Sequence, residues 1–372
     1  MTTSMRSGPR RPLSPEHVDA SAEWIARHQE PNGAIPWTPG GKFDPWDHVQ
    51  SAMGLAVTGR FAASENAFRY LARTQEPDGG WAAWRQAGII TDPTHETNHA
   101  AYVASGLWFL QRARRDVGFL AEMWPTLERA IDFVVRLQNP NGTIGWAINR
   151  DGKVDRNPLL TASSSIHGSL VSAIRIAAEL GCKRPSWMRA LERLRPTLCA
   201  NPDAFDQGDL DPAGRFSMDW YYPVLGGAIR GSRARRILSD ADKRAAFLCE
   251  GVGLRCVIER PWYTVAETCE LVIALDACGL TSRAHQVLSW LHPLRTEAGF
   301  YPTGITHPDR ILYPEGEYTS WTASTVLLAA DTVVGESATA SFFRELAGEE
   351  IGVSVPESVR QVTRGELEAN PL

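Results

Sequence analysis

Carboxylates and aromatics recur together in this chain of 372 residues. Asp47 sits between Trp46 and His48, Glu96 follows His95 and precedes Asn98, and Ser164, Ser165 and His167 form a polar group. Asp219 leads into Trp220, Tyr221 and Tyr222; Glu267 and Glu270 follow Tyr263; Glu315 and Glu317 precede Tyr318 and Trp321. Each group stands where a long loop gives way to a helical pattern. Any one acid there is explained by capping free N–H groups and meeting the positive end of the helix dipole. Any one tryptophan is explained by packing. The joint pattern asks for more, because eight of the thirteen tryptophans (Trp37, Trp46, Trp81, Trp84, Trp146, Trp220, Trp262 and Trp321) fall in the long loops or the first helical turns after them. A mouth rimmed by aromatics and lined by carboxylates suits a neutral polyhydroxylated ligand: sugar faces stack and hydroxyls donate. Two such acids flanking a glycosidic bond can protonate the leaving oxygen and activate water, and an inverting pair stands roughly 6.5–9.5 Å apart.

Other chemistry is less well supported. His95-Glu96-Thr97-Asn98-His99 matches the H-E-x-x-H zinc pattern, but it straddles a helix start instead of lying inside a helix, and no third ligand is evident. No metal or cofactor is expected. His48, His167 and His307 could serve acid–base work, and each is equally a polar lining residue. The net charge of −5 argues against a nucleic-acid partner, which needs clustered cations. Arg230, Arg233, Arg235 and Arg236 read as a solvated loop. The six cysteines form no C-x-x-C pair and fit buried free thiols in a reducing compartment. With a polar, proline-rich N-terminus and no run of about 18 apolar residues, neither a signal peptide nor a membrane span is expected, and the cytoplasm is the expected location.

The elements that hold these residues alternate. Residues 1–14 read as a disordered arm, and Ser14-Pro15 opens a helix to about His28. Eleven further helices follow, starting near Asp47, Arg60, Glu96, Gly118, Ser164, Pro185, Asp219, Asp240, Val265, Ser282 and Ser320. Even-numbered helices are apolar on every side, as in A-M-G-L-A-V after His48. Odd-numbered ones are two-faced, as with Leu120, Met123, Leu127, Ile131 and Val134. Long loops follow the odd helices and short turns the even ones. An inner ring buried on both sides and an outer ring with one wet face satisfy all three facts. The expected fold is therefore all-α, an (α/α)6 toroid over residues 15–335, followed by a tail (336–372) that could carry one short helix. No strand-rich segment competes, and the alternative is an open solenoid of helix pairs.

Two resemblances attach to quoted residues. P-W-D-H-V-x-x-A-M-G-L at 45–55, followed by a helix and Q-x-x-x-G, resembles a unit of the six-hairpin glycosidase superfamily. P-E-G-E-Y-T-S-W-T-A-S at 314–324 is similar to that superfamily's last inner-helix start. The resemblance implies Glu315 or Glu317 as the base of an inverting hydrolase and Asp47 as a substrate-binding acid. It supplies no clear general acid in the third loop, so Asp219 and Glu267 are chosen by position. On this reading Glu317, Asp219 and Glu267 are catalytic. Trp46, Asp47, His48, Glu96, Trp220, Tyr221, Glu315 and Trp321 hold a glycan. Separately, Gln29…Gly33, Gln75…Gly79-x-Trp81 and Gln138…Gly142 are similar to the repeats of squalene cyclases and protein prenyltransferases, which are also α/α toroids. Those repeats speak to architecture. The D-x-D-D acid motif is missing, and Asp276-x-Cys278 lies at the wrong end of a helix for a prenyltransferase zinc pair. A prenyltransferase or cyclase-like protein with an isoprenoid ligand is the alternative, and a non-catalytic glycan-binding toroid the third reading.

Overall fold

The computed structural model describes residues 12–207 and 214–347. The inner helices are α2 (Pro45–Val57), α4 (Thr97–Arg114), α6 (Leu160–Glu179), α8 (Met218–Leu225), α11 (Val265–Ala277) and α13 (Ser320–Val334). Each packs against the next, and α13 packs back on α2, so the ring is closed and the open solenoid is excluded. Their residues are buried nearly all round, which is why their sequences lack a polar face. At the closure, Gly54 of α2 lies against Ser324 of α13, where a Cβ would stand 2.5 Å from its Oγ. That Oγ donates to the Gln50 carbonyl.

Around this ring stand α1 (Pro15–His28), α3 (Phe61–Thr74), α5 (Val117–Arg136), α7 (Pro185–Ala200), α9 (Gly231–Leu238), α10 (Ala241–Phe247) and α12 (Thr281–Ser289). The arginine run expected as a loop is in fact α9. Its buried positions, Ala234 and Leu238, are one turn apart, so a face two residues wide suffices to dock a helix that carries three arginines. α6 also begins four residues before the expected Ser164.

The Gln-x-x-x-Gly repeats form one joint used three times. The side-chain amide of Gln29 donates to Gly33 O at 3.1 Å and to Ala63 O at 2.9 Å. Gln75 reaches Gly79 O and Thr126 O, and Gln138 reaches Gly142 O and Ala190 O. Each glycine has a positive φ, of 95°, 98° and 90°, and lies on the backbone of the next outer helix. A fourth turn has the same backbone bond, Thr296 N to Phe300 O, with Arg295 where the others have glutamine. Its Gly299 rests on Ala20 of α1, which closes the outer ring.

The long loops carry strands that the sequence reading did not expect. β1 (Lys42–Phe43), β2 (Ala82–Gln86), β3 (Ile89–Glu96), β4 (Ala147–Ile148) and β5 (Val154–Asp155) form one antiparallel sheet. β6 (Leu248–Cys249), β7 (Gly253–Arg255), β8 (Trp262–Thr264) and β9 (Gly304–Thr306) form another. Most are two or three residues long, too short for an alternating pattern to register. At the opposite end of the inner ring, α14 (Phe342–Ala347) lies against α8 and α11. Phe342 packs on Phe109, Arg344 pairs with Asp276, and Glu345 pairs with Arg112. Residues 1–11 and 348–372, with most of the expected arm and tail, lie outside the described residues.

Candidate active site

The floor of the loop-side mouth is a buried hydrogen-bond network built by five inner helices. Glu270 of α11 accepts from Tyr221 Oη at 2.5 Å and Tyr222 Oη at 2.8 Å, both on α8. Tyr102 of α4 donates to Gln50 Oε1 at 3.0 Å, and Gln50 Nε2 donates to Thr325 Oγ1 of α13 at 3.2 Å. Burial pushes the Glu270 carboxyl up to about 7, against the bonds it accepts. With both oxygens engaged by phenols, Glu270 anchors the floor. The sequence carried the clue, since Glu270 follows Glu267 by one helical turn and so shares its face.

Beside the floor lie Asp47 and Glu267, both buried. Asp44 caps α2 with Oδ1 accepting from Asp47 N at 2.9 Å, while its Oδ2 accepts from Trp37 Nε1 at 2.6 Å. Burial, with the charges of Asp44, Glu270 and Glu267 added, holds the Asp47 carboxyl well above the usual carboxylate range. Burial also raises Glu267, opposed by the Thr264 hydroxyl and the Cys256 thiol beside it. Its Oε2 has no hydrogen-bond partner among the described residues. Trp46 forms the adjoining wall, stacked on Tyr102 at 5.0 Å and tilted on Tyr222 at 5.8 Å.

Glu96 stands higher, where β3 passes into α4. Burial moves its carboxyl up to about 7, against a bond from the Trp146 side chain and the charge of Lys42. His99 Nε2 lies 3.4 Å from Glu96 Oε2, but His95 turns elsewhere, with Nδ1 at 2.8 Å from Asp78 Oδ2. The two histidines of H-E-x-x-H thus have different partners, one on a strand and one on a helix. The Lys42 ammonium lies over the Trp84 ring, 2.9 Å from its centroid, and 5.2 Å from that of Trp37.

Several expected site residues lie apart from this group. His48 does not line the mouth: its Nδ1 accepts from Ile35 N at 3.1 Å and its Nε2 donates to Ala67 O at 3.0 Å. Burial drops its pKa to about 4, so it is a neutral brace between α2 and α3. Trp220 is no platform either, because its indole N–H donates to Ile237 O on outer helix α9 at 2.8 Å. Asp219 accepts from Thr161 Oγ1 at 2.8 Å and ties α8 to the start of α6, with its carboxyl raised by burial. Glu315 is exposed and Glu317 half-buried, and no described residue bonds either carboxylate. Trp321 is half-buried with an unpartnered indole N–H. His167 is fully buried and donates from Nδ1 to Gly226 O at 2.8 Å.

No family model matches the chain. Over 321 residues it is 43% identical to the MMP endo-(1,4)-3-O-methyl-alpha-D-mannosidase of Mycolicibacterium hassiacum, which covers 86% of this chain and 87% of that one. The chain belongs to the family of that mannosidase. It is a glycoside hydrolase-like enzyme with a glycan substrate, and the prenyltransferase and non-catalytic readings fall away. Similar solved structures include a glycosidase bound to glucose (TM-score 0.62, 16% identity, covering 86% of this chain and 96% of that one). A mannosylglycerate hydrolase of Thermus thermophilus has a TM-score of 0.65 at 12% identity, covering 84% and 99%. A D-mannose isomerase reaches 0.66 at 14%, covering 88% and 100%. At these identities they show the shared helical toroid fold alone. A drimenyl diphosphate synthase of Streptomyces showdoensis is 30% identical over 134 residues, only 34% of this chain and 22% of that one.

Proposed function

We propose that the enzyme hydrolyses internal α-1,4 bonds in a chain of 3-O-methylated mannose, with inversion, using Asp47 as general acid and Glu267 as base. The substrate rests on the 43% identity to the endo-mannosidase. The roles rest on one observation, two buried carboxyls, both raised by burial, whose remaining neighbours differ. Asp47 is hemmed by other acids, Asp44 foremost after burial itself, which favours its protonated form. Glu267 is also raised by burial, but the Thr264 hydroxyl and the Cys256 thiol beside it oppose that rise, and its Oε2 has no hydrogen-bond partner among the described residues and is open to water. A protonated acid and an ionised base are what inversion requires. Glu96, Trp46 and Tyr221 belong to the walls and floor. Glu317, in the loop before α13, and Asp219 of α8 are the alternatives for base and acid. The cytoplasm is the proposed location, where six free thiols stay reduced.

Turnover of methylated manno-oligosaccharides tests this. Asp47→Asn and Glu267→Gln are each expected to lower kcat by roughly 10²–10⁴-fold, the usual contribution of a general acid or base. NMR of the first product should show the β-anomer. An equal loss in Glu317→Gln with Glu267→Gln intact would move the base to the loop before α13. An α-anomeric first product would overturn inversion.

A further inference from the structure

Lys42 brings a cation to the acids of the mouth. β1 pairs with β2 in the register Lys42↔Gln86, which delivers the lysine stem to the face carrying Trp84. Trp37 approaches Trp84 edge-on at 5.6 Å, so the two indoles and the ammonium form a clip. Lys42 is exposed, and its ammonium makes no side-chain hydrogen bond and no ion pair with any described residue. Asp44, Asp47, Asp92 and Glu96 are all near enough for their charges to act on it. An ammonium has three N–H donors and no acceptor, and the two ring faces attract its charge without using those donors up. Three donors are therefore held at the mouth and open to a ligand.

Carboxylates serve free sugar hydroxyls well, because a hydroxyl can donate. A methyl ether oxygen cannot donate. It has lone pairs only, so the surrounding acids offer it nothing, whereas an ammonium matches it. The methyl carbon is apolar and fits an indole face. We propose that Trp37, Lys42 and Trp84 form the subsite that reads the O-methyl group, the ammonium donating to the ether oxygen while the indoles cover the methyl. This rests on the hydrolase reading above and adds to it the residue that separates methylated from unmethylated chains.

The test uses the full-length enzyme and two α-1,4-manno-oligosaccharides of equal length, one 3-O-methylated and one not. Wild type is expected to favour the methylated chain in kcat/KM. Lys42→Met keeps the stem and the packing but removes the donors. It should raise KM for the methylated chain about tenfold, in the range that one lost specific contact commands, and bring the preference close to one. Lys42→Arg should restore part of the preference. If Lys42→Met fails to fold, Trp84→Phe, which shrinks the methyl-covering face, should narrow the preference in the same assay. Cleavage of both chains with the wild-type preference intact in these variants overturns the subsite and leaves the hydrolase reading standing. Wild type that cleaves neither chain overturns the hydrolase reading, and the subsite with it.

Discussion

Acid against acid is the central device at the level of single residues. Burial first and the neighbouring Asp44 charge next raise the Asp47 carboxyl, so Asp44→Asn should lower the Asp47 pKa while keeping the cap, because asparagine caps helices as well as aspartate. Asp47 then loses its proton at lower pH, and the alkaline limb of the kcat/KM profile should shift down. A fixed alkaline limb would remove Asp47 from the acid role. Glu96 permits a stability test. Its folded pKa, about 7, lies above its ordinary value of 4.5, so the folded state binds the proton more tightly than the unfolded one. Its contribution is fully present below pH 4.5 and is lost as pH rises through about 7. Thermal melts should therefore show Glu96→Gln gaining on wild type between pH 5 and 8, and a constant gap would contradict this.

At the level of elements, the Gln-x-x-x-Gly joint carries a prediction of its own. Replacing Gln75 by leucine leaves the Gly79 and Thr126 carbonyls without their donor, at a cost of about 1–3 kcal/mol in urea unfolding. The kcat should be close to that of wild type, since the joint stands in the outer ring. This joint was legible in the sequence because its glutamine and glycine sit at fixed spacing and each glutamine amide donates to backbone carbonyls. The two rings were legible for a similar reason: burial on all sides strips α2, α11 and α13 of polar faces, while α5 keeps one. The fourth joint was hidden because Arg295 stands where glutamine does elsewhere. The strands were hidden because hydrogen bonding between loops distant in sequence, such as β1 with β2, leaves no local period. The site was only half legible. Asp47 and Glu267 could be placed at the mouth by position, but which way a side chain turns is set by tertiary partners. His48 and Trp220 occupy the right junctions and face the wrong neighbours.

The whole molecule depends on both ends of its ring. Asp276 is fully buried, and its two oxygens take Arg344 Nε and Nη2, with Thr281 Oγ1 also donating to Oδ1 at 3.0 Å. Arg344→Met strands that carboxylate, and the loss should approach 3–5 kcal/mol by denaturant unfolding. A loss under about 1 kcal/mol would mean that solvent reaches the base and relieves the charge. The closure of the ring has a different consequence. Gly299 on Ala20, and Ser320 donating to the carbonyls of Trp37 and Pro36, join the last hairpin to the first with contacts of the kind used between other neighbours. The circle of described helices therefore has no seam. A permuted chain, linked across the base and cut in the exposed turn between α6 and α7, has every neighbour it needs to close again around the same mouth.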